Sequence, residues 1–246
     1  MMTRQLGREA AKLNQDQAQG IRQFFSEENF ERLTSIMYPK IVHKGSNLFW
    51  EGDTADYLYF VHSGRIKVTK SADDGKEFTL YLHHKGDLIG YGDVLSESVH
   101  LLSAEALENC ELGVIQRKDL EVLLWQHGDL AVEFMRWQGM THLLTQTKMR
   151  DLLMFGKTGA LCSLLIRLNN SYGLAHGKHR RLSIKINNTE MSDMIGATRE
   201  SVNRMLSDLK KDGIIDIEEG HIVIYDLEHL RDVCHCDNCP AHICRV

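Results

Sequence analysis

Asn188-Thr189-Glu190-Met191-Ser192-Asp193-Met194-Ile195-Gly196-Ala197-Thr198-Arg199-Glu200-Ser201-Val202-Asn203-Arg204-Met205-Leu206-Ser207-Asp208-Leu209-Lys210-Lys211 decides the fold of this 246-residue chain. Capping residues open a short helix with Met191, Met194 and Ile195 on its buried face, Gly196-Ala197-Thr198 breaks it, and a longer helix runs from about Arg199 to Lys211. Helix, glycine-containing turn, helix is a helix-turn-helix. In the second helix Val202, Met205, Leu206 and Leu209 recur at i, i+3, i+4 and i+7, which predicts a buried stripe and leaves Glu200, Arg204, Ser207 and Lys211 opposite. Arg199 and Glu200 open the helix. There a recognition helix reaches base edges, where arginine pairs bidentately with guanine and a carboxylate accepts from cytosine. The plainer reading is an amphipathic helix with an exposed Glu200–Arg204 pair.

Working outward, Ile214-Ile215-Asp216-Ile217-Glu218-Glu219-Gly220-His221-Ile222-Val223-Ile224-Tyr225 reads as a β-hairpin directly after that helix, as in a winged helix whose wing lies near a phosphate backbone. Lys178, Arg180, Arg181 and Lys185 add positive charge upstream, though a solvated loop explains them equally well. Residues 160 to 172 predict a core helix ending at Gly173 as its C′ residue. Residues 118 to 151 read as helix, with Leu130, Phe134, Trp137, Thr141 and Leu144 spaced four and three apart. That stripe is either a coiled-coil seam or a face packed on its own domain. From about 38 to 117, glycines at 45, 52, 64, 75, 86 and 92 separate short alternating runs, the signature of an antiparallel barrel or sandwich. Asp73-Asp74-Gly75-Lys76 predicts one of its hairpin turns.

The last thirteen residues hold four of the six cysteines, in Cys234-His235-Cys236-Asp237-Asn238-Cys239-Pro240-Ala241-His242-Ile243-Cys244. Closely spaced thiolates on a short tail suit one soft ion or cluster, and the CxxCx4C within it is compact enough for iron-sulfur or zinc. Exposed unpaired thiols oxidise, so a merely solvated tail explains this spacing poorly. Cys110 and Cys162 stand alone in apolar surroundings and read as core residues. The pair His83-His84 reads as surface. No apolar run approaches a membrane span and no secretory h-region opens the chain, so a reducing cytoplasmic setting is expected, where clustered cysteines favour metal over disulfides. The charge of -5, with 43% hydrophobic and 26% charged residues, is that of an ordinary globular chain and carries no global nucleic-acid signature.

A glycine-punctuated β-roll, a long dimer-type helix and Thr198-Arg199-Glu200-Ser201-Val202-Asn203-Arg204-Met205-Leu206 within a winged helix resemble the Crp/Fnr superfamily of bacterial transcription regulators. The likeness covers essentially the whole chain. It is greatest to the oxygen-sensing Fnr type with C-terminal cysteines, through Cys236-x-x-Cys239-Pro240 to Cys244 and through Lys148-Met149-Arg150-Asp151-Leu152-Leu153 followed by Gly156-Lys157-Thr158-Gly159-Ala160-Leu161. The resemblance implies an α+β fold: a cyclic-nucleotide-binding-like β-roll with a helical lead (1–117), a dimerisation helix (118–150), a winged helix-turn-helix (151–230) and a cysteine tail (231–246). It implies a [4Fe-4S] cluster on Cys236, Cys239 and Cys244 with Asp151 as the fourth ligand, and Arg199, Glu200 and Arg204 reading a TGTGA-type half-site. It also implies a homodimer on palindromic double-stranded DNA, with RNA polymerase as partner, no membrane and no catalysis.

Read alone, Asp151 is a surface acid beside Lys148 and Arg150. Cys234 can complete a cluster in its place, or Cys236, Cys239 and Cys244 with His235, His242 or Cys234 can hold zinc. A thiol switch and an iron-sulfur electron carrier are the other functions in view, the latter leaving the winged helix without a role. Cyclic-nucleotide binders of the superfamily carry a phosphate-clamping arginine; Gly90-Tyr91-Gly92-Asp93-Val94-Leu95 and Leu101-Leu102-Ser103-Ala104 stand here instead. With leucine in that position, cyclic AMP is not the expected effector, and the roll is expected to have lost its ligand.

Overall fold

The computed structural model describes residues 20–90 and 98–246. The chain forms two compact units, Met1–Gly139 and Met140–Val246. Most of the helical lead and the Tyr91–Leu95 part of the expected effector stretch lie outside the described residues.

In the first unit a short 3₁₀ turn, Gly20–Phe24, precedes helix α1 (Glu27–Ser35), whose N-cap Ser26 accepts from the Asn29 amide. Strands β1 (Tyr38–Val42), β2 (Asn47–Phe49), β3 (Tyr57–Ser63), β4 (Ile66–Ser71), β5 (Glu77–His83), β6 (Leu88–Ile89), β7 (Ser103–Ala106) and β8 (Cys110–Gln116) follow. They pair antiparallel in two four-stranded sheets, ordered β1-β8-β3-β6 and β2-β7-β4-β5. Alternation drives this: Tyr59, Val61, Ile89 and Leu112 of one sheet and Phe49, Ile66, Val68 and Ala104 of the other meet in one core. The predicted turn at Asp73–Lys76 joins β4 to β5, with Gly75 at φ 81° and the Gly75 amide donating to Ala72 O at 2.9 Å. Cys110 is in this core, as expected. His83 and His84 are not the surface pair expected: His83 is buried, and both rings face the buried Asp87 carboxylate, at 3.5 and 3.7 Å.

The stretch expected to be one dimerisation helix is two. Helix α2 (Arg117–Gln126) ends at His127, and helix α3 (Gly128–Met154) runs three residues beyond Asp151. The expected seam faces inward. Leu130, Phe134, Trp137 and Leu144 are buried within the single chain, Phe134 against the Phe25 and Trp137 rings, so the own-domain alternative holds for that stripe. A second stripe, Val132, Met135, Gly139, His142, Gln146, Met149 and Leu153, is exposed and repeats three and four apart along the whole helix. A coiled-coil seam has this period.

In the second unit helix α4 (Gly156–Tyr172) is buried along most of its length. Gly173 ends it with an ordinary φ of -75° rather than as the left-handed C′ residue expected. Its lack of a side chain matters for another reason: a Cβ there would lie 2.3 Å from Asn169 Oδ1. Strands β9 (Gly173–His176) and β10 (His179–Leu182) form a hairpin in the stretch read as basic loop. Helices α5 (Asn188–Ile195) and α6 (Arg199–Lys211), the wing strands β11 (Ile215–Glu218) and β12 (His221–Ile224), and helix α7 (Leu227–Val233) complete the unit. Its sheet is ordered β11-β12-β10-β9, so the predicted wing hairpin joins a second one.

Candidate nucleic-acid interface and metal centre

Local chemistry builds the helix-turn-helix as read. Asn187 and Glu190 cap α5 reciprocally, the Glu190 amide donating to Asn187 Oδ1 at 2.9 Å and the Asn187 amide to Glu190 Oε2 at 2.8 Å. Gly196 closes α5 at φ 60°, a conformation glycine adopts without the strain a Cβ brings. Thr198 then caps α6, accepting from the Ser201 amide at 3.2 Å. The predicted stripe Val202, Met205, Leu206 and Leu209 is buried. Arg199, Glu200, Asn203, Arg204 and Ser207 are exposed on the opposite face. Arg199, Glu200 and Arg204 have no side-chain partner among the described residues, so the alternative of a Glu200–Arg204 pair is not realised. Arg180 is structural, donating to Asn169 Oδ1 and Gly173 O, and Arg181 pairs with Glu219, while Lys178 and Lys185 are exposed, Lys185 near Gly220 of the wing turn.

Asp151 is not a surface acid. It is 5% exposed, and both its oxygens accept hydrogen bonds. Oδ1 takes Arg150 Nε at 3.1 Å and Nη2 at 2.7 Å; Oδ2 takes Ser163 Oγ and Arg167 Nη2, the latter at 2.7 Å. Burial works against its charge, yet the bonds from Ser163, Arg167 and Arg150 prevail and hold its carboxyl below the ordinary 3.8. Both arginines also reach the cysteine tail. Arg150 pairs with Asp237 between Cys236 and Cys239, and Arg167 Nη1 donates to Ile243 O and Arg245 O on either side of Cys244, at 3.4 Å each.

Of the predicted ligands, Cys236 and Cys239 are half-buried and Cys244 is buried, as is Cys234. Burial pushes the Cys244 thiol up to about 12, Arg167 pulling against it while Cys239, Cys236 and Asp151 add to it. The thiols, the carboxylate and the two guanidiniums thus share one electrostatic neighbourhood. Among the described residues no three His, Cys, Asp or Glu side chains converge closely enough to hold a single metal ion. The donor set itself, soft thiolates that a buried site leaves costly to ionise without a cation, fits an iron-sulfur group. Arg167, the most deeply placed charge here, was missed at the sequence level. Its signal was a lone cation inside the apolar run Leu164-Leu165-Ile166-Arg167-Leu168, where a buried partner is required.

The roll retains a cavity of about 500 Å³ lined by Phe49, Val68, Tyr81, Ile89, His100 and Leu102 among others. Among the described residues no arginine lines it. Leu102 packs on the core, Leu101 is largely exposed at the edge of the cavity, and His100 is stacked on Phe49 at 3.6 Å between ring centroids.

Residues 39–127 match the cyclic nucleotide-binding domain model, and residues 159–233 the Crp-like helix-turn-helix domain model. An anaerobic regulatory protein of Bacillus subtilis (strain 168) is 42% identical over 224 residues, 90% of this chain and 94% of that protein. The chain belongs to the Crp/Fnr family. Crp/Fnr proteins are DNA-binding transcription regulators, typically dimeric, and not enzymes. A more distant relative is a CRP-like cAMP-activated global transcriptional regulator of Mycobacterium tuberculosis (strain ATCC 25618 / H37Rv), 25% identical over 80% of this chain and 88% of that one. Among solved structures, FixK2 from Bradyrhizobium japonicum shares the Crp/Fnr fold with TM-score 0.72 at 21% identity, covering 80% of this chain and 97% of that one. Among the described residues no helix is long and apolar enough to cross a membrane.

Proposed function

We propose that this Crp/Fnr regulator is a cytoplasmic, oxygen-responsive switch for anaerobic genes. In this reading Cys236, Cys239, Cys244 and Asp151 of one chain hold a [4Fe-4S] cluster, and a homodimer reads a TGTGA-type palindrome through Arg199, Glu200 and Arg204, acting with RNA polymerase. The observation that carries it is the docking of the cysteine tail beside a buried Asp151, in a chain 42% identical to an anaerobic regulatory protein. When bound, the cluster supplies iron that oxygen attacks, and a carboxylate ligand is harder and weaker toward it than a thiolate.

The chain's own residues do the rest. Both Asp151 oxygens are occupied, so ligation displaces at least one of the bonds from Arg150, Ser163 or Arg167. The free energy of metal binding then passes to whatever links α3, α4 and the tail. Among the described residues the roll cavity is lined by no guanidinium that could clamp a cyclic phosphate, which supports an effector other than cyclic AMP.

The test is iron and sulfide content with a visible spectrum on anaerobically purified protein, then binding to the palindrome before and after air at matched salt, in wild type and Asp151→Ala. A brown protein whose specific binding is lost in air, and a variant with lowered iron content, are expected. A colourless protein carrying zinc, or binding unchanged by air, overturns the oxygen switch and favours a structural tail.

A further inference from the structure

Three consecutive tail carbonyls, those of Ile243, Cys244 and Arg245, each accept a hydrogen bond from a side chain of α4. Arg167 Nη1 donates to Ile243 O and Arg245 O, and Asn170 Nδ2 donates to Cys244 O at 2.7 Å. The Val246 amide closes the contact on Ser171 Oγ at 3.2 Å. The same guanidinium turns its other nitrogens inward, Nη2 to Asp151 Oδ2 at 2.7 Å and Thr147 Oγ1 at 3.2 Å, and Nε to Ser163 Oγ at 3.4 Å. Its side chain is 2% exposed.

From this geometry we infer that Arg167 is the positioning residue of the tail, its planar fork holding the Asp151 carboxylate and the Cys244 turn together before any metal arrives. Burying a guanidinium is costly unless every face finds an acceptor, and here a carboxylate on one side and two main-chain carbonyls on the other meet that need. A fork spans both sides at once, which an ammonium, a point donor, does not. With Arg167 in place the tail loses its conformational freedom on folding, so a metal or cluster need not pay for ordering it. Asn170, one turn along the same face, fixes the middle carbonyl. The inference deepens the proposed function and rests on it only for the identity of the metal.

The experiment uses full-length, reduced, chelator-treated protein, alkylated with iodoacetamide and followed cysteine by cysteine by mass spectrometry, with buried Cys162 reporting the integrity of α4. In wild type Cys244 is expected to react slowly, as Cys162 does. In Arg167→Gln and Arg167→Lys the Cys244 rate is expected to rise roughly tenfold or more with Cys162 still protected, as local opening rather than global unfolding requires. Cys244 remaining as slow as in wild type in Arg167→Gln overturns the assignment, and full protection in Arg167→Lys reduces the role to charge and overturns it too. Should Arg167→Gln expose Cys162 as well, Asn170→Ala decides: Cys244 opened alone supports the tail contact, and no change overturns it. A wild-type protein without iron that still shows this pattern removes the cluster and leaves Arg167 as the anchor of the tail.

Discussion

The Arg167–Asp151 pair shows what a single buried charge demands of its surroundings. Either ion alone in that place would cost several kcal/mol, so Arg150, Ser163, Thr147 and the tail carbonyls are recruited until no lone pair or proton is left over. His100 shows the opposite solution, a titratable ring whose charged form burial disfavours. Burial against Phe49 and the cavity wall lowers its pKa from 6.5, and Asp53 and Asp56 pull upward without prevailing. The unfolded chain therefore binds this proton more readily than the folded chain, and the sign follows: stability is lost as pH falls below 6.5. His100→Phe removes that titration and has the adjoining cavity to expand into. In urea denaturation at about pH 7.5 and about pH 5.5, wild type is expected to lose more stability than the variant, since only its ring titrates across that window. Equal losses in the two proteins would place the pH dependence elsewhere.

At the scale of the element, α6 was legible because its two faces differ in kind. Four apolar residues at helical spacing stood against Arg199, Glu200, Arg204 and Ser207, and a capping Thr198 fixed its start. Because Arg204 is exposed and has no side-chain partner among the described residues, Arg204→Ala is expected to leave thermal stability unchanged and to cost about 1–3 kcal/mol of binding to the cognate palindrome in a salt-matched shift assay. A uniform loss across cognate and unrelated DNA would make Arg204 a phosphate contact and remove it from the base readers. Helix α3 was legible as a helix but not in its rotation, because both of its faces are apolar. The larger residues Leu130, Phe134 and Trp137 gave the inward stripe, and the thinner Val132, Met135, Met149 and Leu153 stripe was hidden beneath it. The β9–β10 hairpin escaped notice for a related reason: its strands carry Arg180 and Arg181, whose partners Asn169, Gly173 and Glu219 are brought close by the fold. The cysteine tail announced a soft ligand set by spacing alone. Its attachment did not, since Arg167 and Ile243 lie 76 positions apart.

For the whole molecule, the proposed palindrome reading needs two helix-turn-helix motifs brought together, and the exposed α3 stripe is the seam that this reading assigns to the pairing. A single α6 touches one half-site; two related by a twofold axis reach successive major-groove faces about 34 Å apart, which is what symmetric operator DNA demands. The stripe Val132, Met135, Gly139, His142, Gln146, Met149 and Leu153 has the three-and-four spacing of a two-stranded seam, with Met135 61% and Leu153 77% exposed in the single chain. Burying such residues against a second copy is worth roughly 1.5–3 kcal/mol each, and a lysine at one position sets two like charges facing across the axis. Met135 lies outside the cysteine tail, the α6 face and the inward core, so its substitution leaves the fold and any bound metal in place. Met135→Lys is therefore expected to sediment at half the wild-type mass while keeping wild-type helix content, and to lose palindrome binding far more than half-site binding. Undiminished dimer mass in the variant would move the twofold contact away from α3 and leave that exposed seam to another partner.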